Sequence, residues 1–252
     1  MEKVSEKNTI LKISYPDNQL TKELINPDNI NRQENHLIKT TKNDSVKYLL
    51  NNRADLALLT PLDYGLAQKS GDIRILGSPV LFLQDYTEMF GIEFKHGIQE
   101  IKTVGSDIPD AFILGVAKIL FSERYGLNLE DFIVDNKDPD VMIKYKAETV
   151  SDIGEDWFET FRFPLPLYVW CLRAEETEHD IEKINKVIND LCIDLSKEIQ
   201  SDDGHRVGKI SFVWDENYEK AFDDTLETMF YHGILPEIFA SKKYGEDIIS
   251  GE

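Results

Sequence analysis

The sequence predicts an α/β protein built as two lobes with a cleft between them. Three observations carry this expectation. Strand and helix signals alternate through residues 10–143, helical patterns dominate the last part, and no low-complexity run or long linker interrupts them. The 252 residues suit one large domain or two lobes of roughly 100–150 residues each. Residues 10–15 read as a short strand stopped by Pro16, Asp17 and Asn18. The polar stretch 21–35 reads as loop with short structure. Asn43, Asp44 and Ser45 cap a helix that carries Val46, Leu49 and Leu50 on one side. Residues 55–59 form a continuous apolar strand, the kind buried on both faces of a parallel sheet. Thr60 and Pro61 end it and open a short helix, since proline suits a first turn. Residues 73–75, 79–83 and 89–94 read as further strands.

A second α/β unit starts near Ile101. Residues 102–104 are a strand and 105–109 a turn. Residues 111–125 are a helix, with Ile113, Val116, Ala117, Leu120 and Phe121 on one face and Gly126 as its stop. Asp107 and Asp110 flank the start of that helix, where a carboxylate complements the helix dipole, so capping is their default role. Residues 131–135 and 140–143 read as strands. Residues 163–172 are rich in β-formers but contain Pro164 and Pro166, which places the strand near a sheet edge or crossover. Residues 181–199 read as one long amphipathic helix. Residues 218–232 give another, striped by Phe222, Leu226, Met229 and Phe230 and stopped by Gly233. Ligands of such sheets sit outside the carboxyl ends of strands.

Composition excludes several functions. With 28 Lys+Arg against 47 Asp+Glu the net charge is −19, so nucleic acid and anionic membrane surfaces are not expected partners. An anionic ligand would need a locally cationic pocket. Cys171 and Cys192 sit in apolar segments and read as buried thiols of a reducing compartment. No Cys-x-x-Cys or paired Cys/His spacing supports a metal, and no Gly-rich phosphate loop or Gly-x-Ser-x-Gly elbow is present. The five histidines are scattered, and His232 reads as a helix C-cap. Residues 1–8 hold no apolar stretch of signal-peptide type and no run approaches the ~20 residues of a membrane span. The expectation is a cytoplasmic protein without cofactor or metal.

The most distinctive stretch is Asp152-Ile153-Gly154-Glu155-Asp156-Trp157-Phe158, followed by Phe163-Pro164 and Trp170. Read from its residues, it is an acidic helix turn, an aromatic cluster and a Pro-containing strand. The bland reading is packing between lobes; the functional reading is aromatics that wall a cleft. The stretch resembles the chorismate dehydratase family of the futalosine route to menaquinone, in its Asp-Leu-Gly-Glu-Glu-Trp run, the Leu-Pro-Phe after it, and a strand ending in Trp. Other segments follow in the family's order: residues 55–64, Val104-Gly105-Ser106-Asp107, and Phe230-Tyr231-His232-Gly233-Ile234-Leu235 at the end of the last helix.

The resemblance implies a type 2 periplasmic-binding-protein-like fold. Residues 1–92 and 174–252 would form the first lobe and 93–173 the second, with the C-terminal helices returning to the first. It implies a lyase of menaquinone biosynthesis that holds a small organic anion between the lobes and eliminates water from chorismate to give 3-enolpyruvylbenzoate. Asn18 or Asp17 would position the substrate or move a proton. Thr60 and Ser106 would donate hydrogen bonds, Arg162 would pair with a carboxylate, and Trp157 and Trp170 would wall the cleft. The chain departs from the family where a hydroxyl-rich run opens a helix. Asp110, Ala111, Phe112 and Ile113 stand there, so Asp110 occupies a substrate-binding position with the wrong charge. Anion donors would come from Arg162, Arg74, Lys95 or Lys146, each of which is otherwise a solvated surface charge. The alternative is a solute-binding-like protein without catalysis and with an altered ligand.

Overall fold

The computed structural model describes residues 10–41, 44–108, 110–127, 133–134, 137–147, 149–174 and 181–245. β1 (Leu11–Pro16) pairs in parallel with β2 (Asn35–Thr40) and β3 (Leu56–Leu59). The helix α1 (Gln19–Leu24) follows β1. Asn18 caps it reciprocally: its side chain accepts from the Thr21 N–H, and the Thr21 hydroxyl oxygen accepts from the Asn18 N–H. α2 (Asp44–Leu50) returns to β3, whose four residues are all buried. Thr60 caps α3 (Pro61–Gln68) with Pro61 in the first turn. β4 (Ile73–Ile75) and β5 (Leu81–Asp85) complete the first pass through this sheet.

The chain then leaves for a second sheet. β6 (Phe90–Phe94), β7 (Thr103–Ser106), β8 (Ile133–Val134), β9 (Val141–Tyr145) and β10 (Ser151–Asp152) lie in the order β10-β6-β9-β7-β8. α4 (Ala111–Tyr125) packs on this sheet and stops at Gly126 in the left-handed region. α5 (Ile153–Phe161) ends at Arg162, itself left-handed with φ 65°. The chain returns as β11 (Leu165–Arg173), joined antiparallel to β3, β4 and β5. After α6 (Ile181–Leu191), the hairpin of β12 (Lys197–Gln200) and β13 (Val207–Ser211) extends the sheet from β5. α7 (Glu216–Tyr231), capped by Asp215, covers β11. The first sheet runs β12-β13-β5-β11-β3-β1-β2 with β4 beside β11. Among the described residues no helix is long and apolar enough to cross a membrane.

Four expectations need correction. The lobe junction expected at 92/93 falls inside β6, and the one expected at 173/174 falls at the end of β11. The crossings lie between Asp85 and Phe90 and between Phe161 and Leu165, because all of β11 is paired within the first sheet. The helix expected over 181–199 ends at Leu191: the Ile193 N–H bonds to Leu24 O, the Asp194 carboxylate accepts from Ser196 N, and Lys197–Gln200 then pair as a strand with β13. β13 was missed among signals read as helical. Last, of the edge or crossover expected for β11 only the crossover holds: the strand directly follows the crossing but lies inside the sheet. Its proline is tolerated because β3 pairs only with Val169–Leu172, so Pro166 has β5 as its single neighbour, beside an irregularity in the register. The early loop 21–35 holds α1 and a short 3₁₀ turn at Pro27–Asn29. Asn43 and parts of 131–135 lie outside the described residues.

The Asp-Ile-Gly-Glu stretch sits at the crossing. Asp152 caps α5 by accepting from the Glu155 N–H at 3.1 Å. Gly154 lies against the end of β5: a Cβ there would stand 2.7 Å from Asp85 O and 3.1 Å from both Asp152 Oδ1 and Thr87 Oγ1. Backbone cannot yield as a side chain does, so Gly154→Ala is expected to cost about 1–3 kcal/mol of stability, measured by denaturant unfolding. An unchanged midpoint would show that α5 does not press on the crossing.

Candidate functional site

Five separate segments meet between the lobes. Asn18 and Leu20 follow the carboxyl end of β1, and Thr60 that of β3. From the other lobe come Phe90 at the start of β6 and Ile108, Asp110, Phe112 and Ile113 around the start of α4. β11 adds Leu167 and Tyr168. Leu20, Thr60, Phe90, Ile108, Asp110, Phe112, Ile113, Leu167 and Tyr168 enclose a cavity of about 10 Å³, which is room for one water molecule. This is the expected place for a ligand, outside the carboxyl ends of β1, β3 and β7.

Polar groups of the two lobes face each other here. Asn18 Nδ2 donates to the Tyr168 hydroxyl at 2.8 Å, and across the cavity that hydroxyl stands near the Asp110 carboxylate. Asp110 also caps α4, its Oδ1 accepting from Phe112 N at 2.8 Å. Burial pushes the Asp110 carboxyl up from the ordinary range, against the pull of the Phe112 and Ile113 N–H groups and of Tyr168. Burial also lifts the Tyr168 hydroxyl well up, with Asp110 next in effect. Behind the cavity, the Thr60 hydroxyl donates to Asp63 Oδ2 at 2.9 Å, and its oxygen accepts from Asp63 N at 3.2 Å.

Ion pairs span the lobes around this cavity. Lys146 meets Glu23 of α1 at 2.5 Å. His232, the C-cap of α7, meets Glu123 of α4 at 3.0 Å. At the crossing, Arg206 Nε donates to Glu155 and Nη1 to Thr149 O, both at 2.8 Å, while the guanidinium lies 4.0 Å over the Tyr86 ring.

The structure brings Asn18, Thr60 and Asp110 together. Ser106 lies just behind, its hydroxyl engaged with Ile108 O and Ile108 N. Asp17 is exposed and 3.7 Å from Lys22. Arg162 is exposed at the end of α5 because the left-handed turn that ends the helix points the chain back to β11. Trp157 is fully buried in its own lobe against Phe161 and Phe163. Trp170 is buried on β11, beside Leu24, Leu58 and Cys192 rather than at the cavity. The other candidate cations are committed elsewhere: Arg74 and Lys95 bond Asp72 and Asp138. Among the described residues lining the cavity none is lysine or arginine. Sequence reading missed Tyr168, which looked like one more aromatic of a strand. Its signal was the short step from Pro166, where β11 lacks one neighbour. Among the described residues no cluster of three His, Cys, Asp or Glu is placed to hold a metal ion.

Two α/β lobes, crossed twice by the chain, carry the cavity between them. The fold is mixed α/β, two sheets joined by two crossings. Protein AF1704 from Archaeoglobus fulgidus shares it, with a TM-score of 0.57 at 11% identity over 90% of this chain and 99% of that one. Also similar are the alkanesulfonate-binding protein SsuA from Xanthomonas axonopodis pv. citri bound to MOPS (TM-score 0.48, 9% identity, 91% and 95% covered) and lactococcal OpuAC in its closed form with glycine betaine (0.47, 11%, 71% and 83%). No protein-family model matches the chain, and no curated protein does.

Proposed function

We propose that this protein binds a small organic molecule between its lobes. The observation that carries this is the enclosed cavity between the lobes, lined from one lobe by Asp110 and from the other by Tyr168, whose hydroxyl accepts from Asn18 Nδ2. A cavity of about 10 Å³ admits no organic ligand, so entry requires the lobes to part. The elements that would part are joined by side chains, Glu23 to Lys146 and Glu155 to Arg206, and by two short crossings. Binding a ligand in that space stabilises the fold by mass action. A thermal-shift panel of uncharged, cationic and anionic small molecules tests this: at least one class is expected to raise the melting temperature with saturation, and Tyr168→Phe is expected to weaken that response. A panel without any saturating shift would defeat the reading.

A second reading is a chorismate dehydratase-like lyase of menaquinone biosynthesis. It draws on the sequence resemblance and on Asn18, which stands after β1 with its amide at the cavity. Against it stands the lining, which offers two carboxylates no cation. Incubation with chorismate and detection of 3-enolpyruvylbenzoate separates the two readings: product that is lost in Asn18→Ala favours the lyase, and none at high protein loading leaves the binding protein.

A further inference from the structure

The start of α4 faces the interlobe cavity, and the first N–H groups of a helix are a natural seat for an anion. Here that seat is filled from within. The Asp110 carboxylate accepts from Phe112 N at 2.8 Å, and the Tyr168 hydroxyl of the opposite lobe stands near it across the cavity. Asn18 Nδ2 donates to that hydroxyl at 2.8 Å. The carboxylate therefore sits where a captured anion would, on a backbone N–H at the start of the helix with a hydroxyl facing it. A second anion would find that N–H engaged and no lysine or arginine in the lining. It would also face Asp110 and, one step behind, Asp63, both buried. Like charges at close range in a low-dielectric space repel strongly. The rest of the lining is apolar, with the Thr60 hydroxyl at its edge.

We infer that Asp110 sets the specificity of the interlobe cavity: its own carboxylate fills the anion seat, so the cavity rejects carboxylates and phosphates and takes compact uncharged molecules with an apolar body. This rests on the binding reading above. Substitution tests it. Asp110→Ser keeps a side-chain oxygen for the helix cap but removes the charge that blocks the seat. Calorimetric titration uses benzoate as the anion and benzyl alcohol as its uncharged counterpart. The variant is expected to bind benzoate at least tenfold more tightly than the parent chain, and adding Tyr168→Phe is expected to abolish the gain. Asp110→Asn, an equally good cap, replaces the serine variant if circular dichroism shows that the latter is unfolded, and the same gain is expected. Benzoate binding equally to parent and variant, or to neither, would overturn the inference. The two proposals fail separately: if an uncharged fragment binds the parent chain but the variant gains nothing for benzoate, only the specificity inference falls. If no fragment binds either protein, both fall.

Discussion

Trp157→Ala is expected to destabilise the protein by about 3–5 kcal/mol, the range for truncating a large buried aromatic. Trp157 is fully buried on α5, with its ring 4.5 Å from Phe161 and 5.8 Å from Phe163. Trp157 and Phe161 lie on α5 and Phe163 in the crossing that follows, so the trio fixes the helix against the crossing, where its cap Asp152 and its first-turn residues Gly154 and Glu155 also sit. Losing the indole opens a cavity that the surrounding helix and sheet close only in part, so lost contacts add to lost burial. Denaturant unfolding measures the loss, and the slope should be unchanged, which locates the effect in stability rather than compactness. A tryptophan that lined a ligand cleft would behave otherwise. It would be partly wet, its removal would cost about 1 kcal/mol or less, and ligand response would fall first.

The second large effect is an unusual dependence on pH. Asp152 is 1% exposed. Burial pushes its carboxyl up to about 7, against the Glu155 and Thr87 N–H groups and the charge of Arg206. Its Oδ2 has no hydrogen-bond partner, as suits a carboxyl that carries a proton. A carboxyl raised in the fold binds its proton more tightly folded than unfolded. Its stabilisation is complete below the ordinary carboxyl value of about 4 and is lost as pH rises to about 7. Asp110 and Asp156 are raised by burial too, and act in the same direction. The protein is thus expected to lose about 2–4 kcal/mol of stability between pH 5 and pH 8. Chemical denaturation across that range measures the loss. Asp152→Asn keeps the cap and should flatten most of the curve; a slope that survives this change would move the cause away from Asp152.

Much of the fold was legible because its elements obey local rules. α4 was visible to its end residues, since Asp110 caps it, an apolar stripe runs along it and Gly126 ends it in the left-handed turn that glycine favours. β3 was visible from four consecutive apolar residues, the pattern of a strand buried on both faces. The failures were tertiary. Nothing local distinguishes Ile193–Ile199 as helix from strand until Ile193 bonds to Leu24 and the hairpin finds β5. Nor does Pro166 announce that β11 has both β3 and β4 beside it at Cys171 and Leu172 but β5 alone where the proline sits.

The site was legible by position and not by partner. Asn18, Thr60 and Asp110 follow strands or precede helices, where such folds place ligands. Arg162 and Trp157 belong to the stretch whose resemblance was most specific, and that stretch builds the crossing instead: the Asp152 cap, the close approach of Gly154, and the Glu155 pair with Arg206. A run of residues can therefore be distinctive because two lobes must meet there, with no ligand in contact. Tyr168, which faces Asp110 across the cavity, shares no local pattern with Asn18 or Asp110, from which it is separated by 150 and 58 positions.

The most direct measurement follows backbone amide shifts of isotope-labelled protein during titration with a library of small uncharged fragments. Binding between the lobes predicts saturable shifts concentrated at Asn18, Thr60, Phe112 and Tyr168, with smaller changes at Arg206 and Glu155 as the lobes readjust. Fragments that saturate while shifting only amides remote from these residues, or a library that shifts none of them, would contradict a ligand site between the lobes.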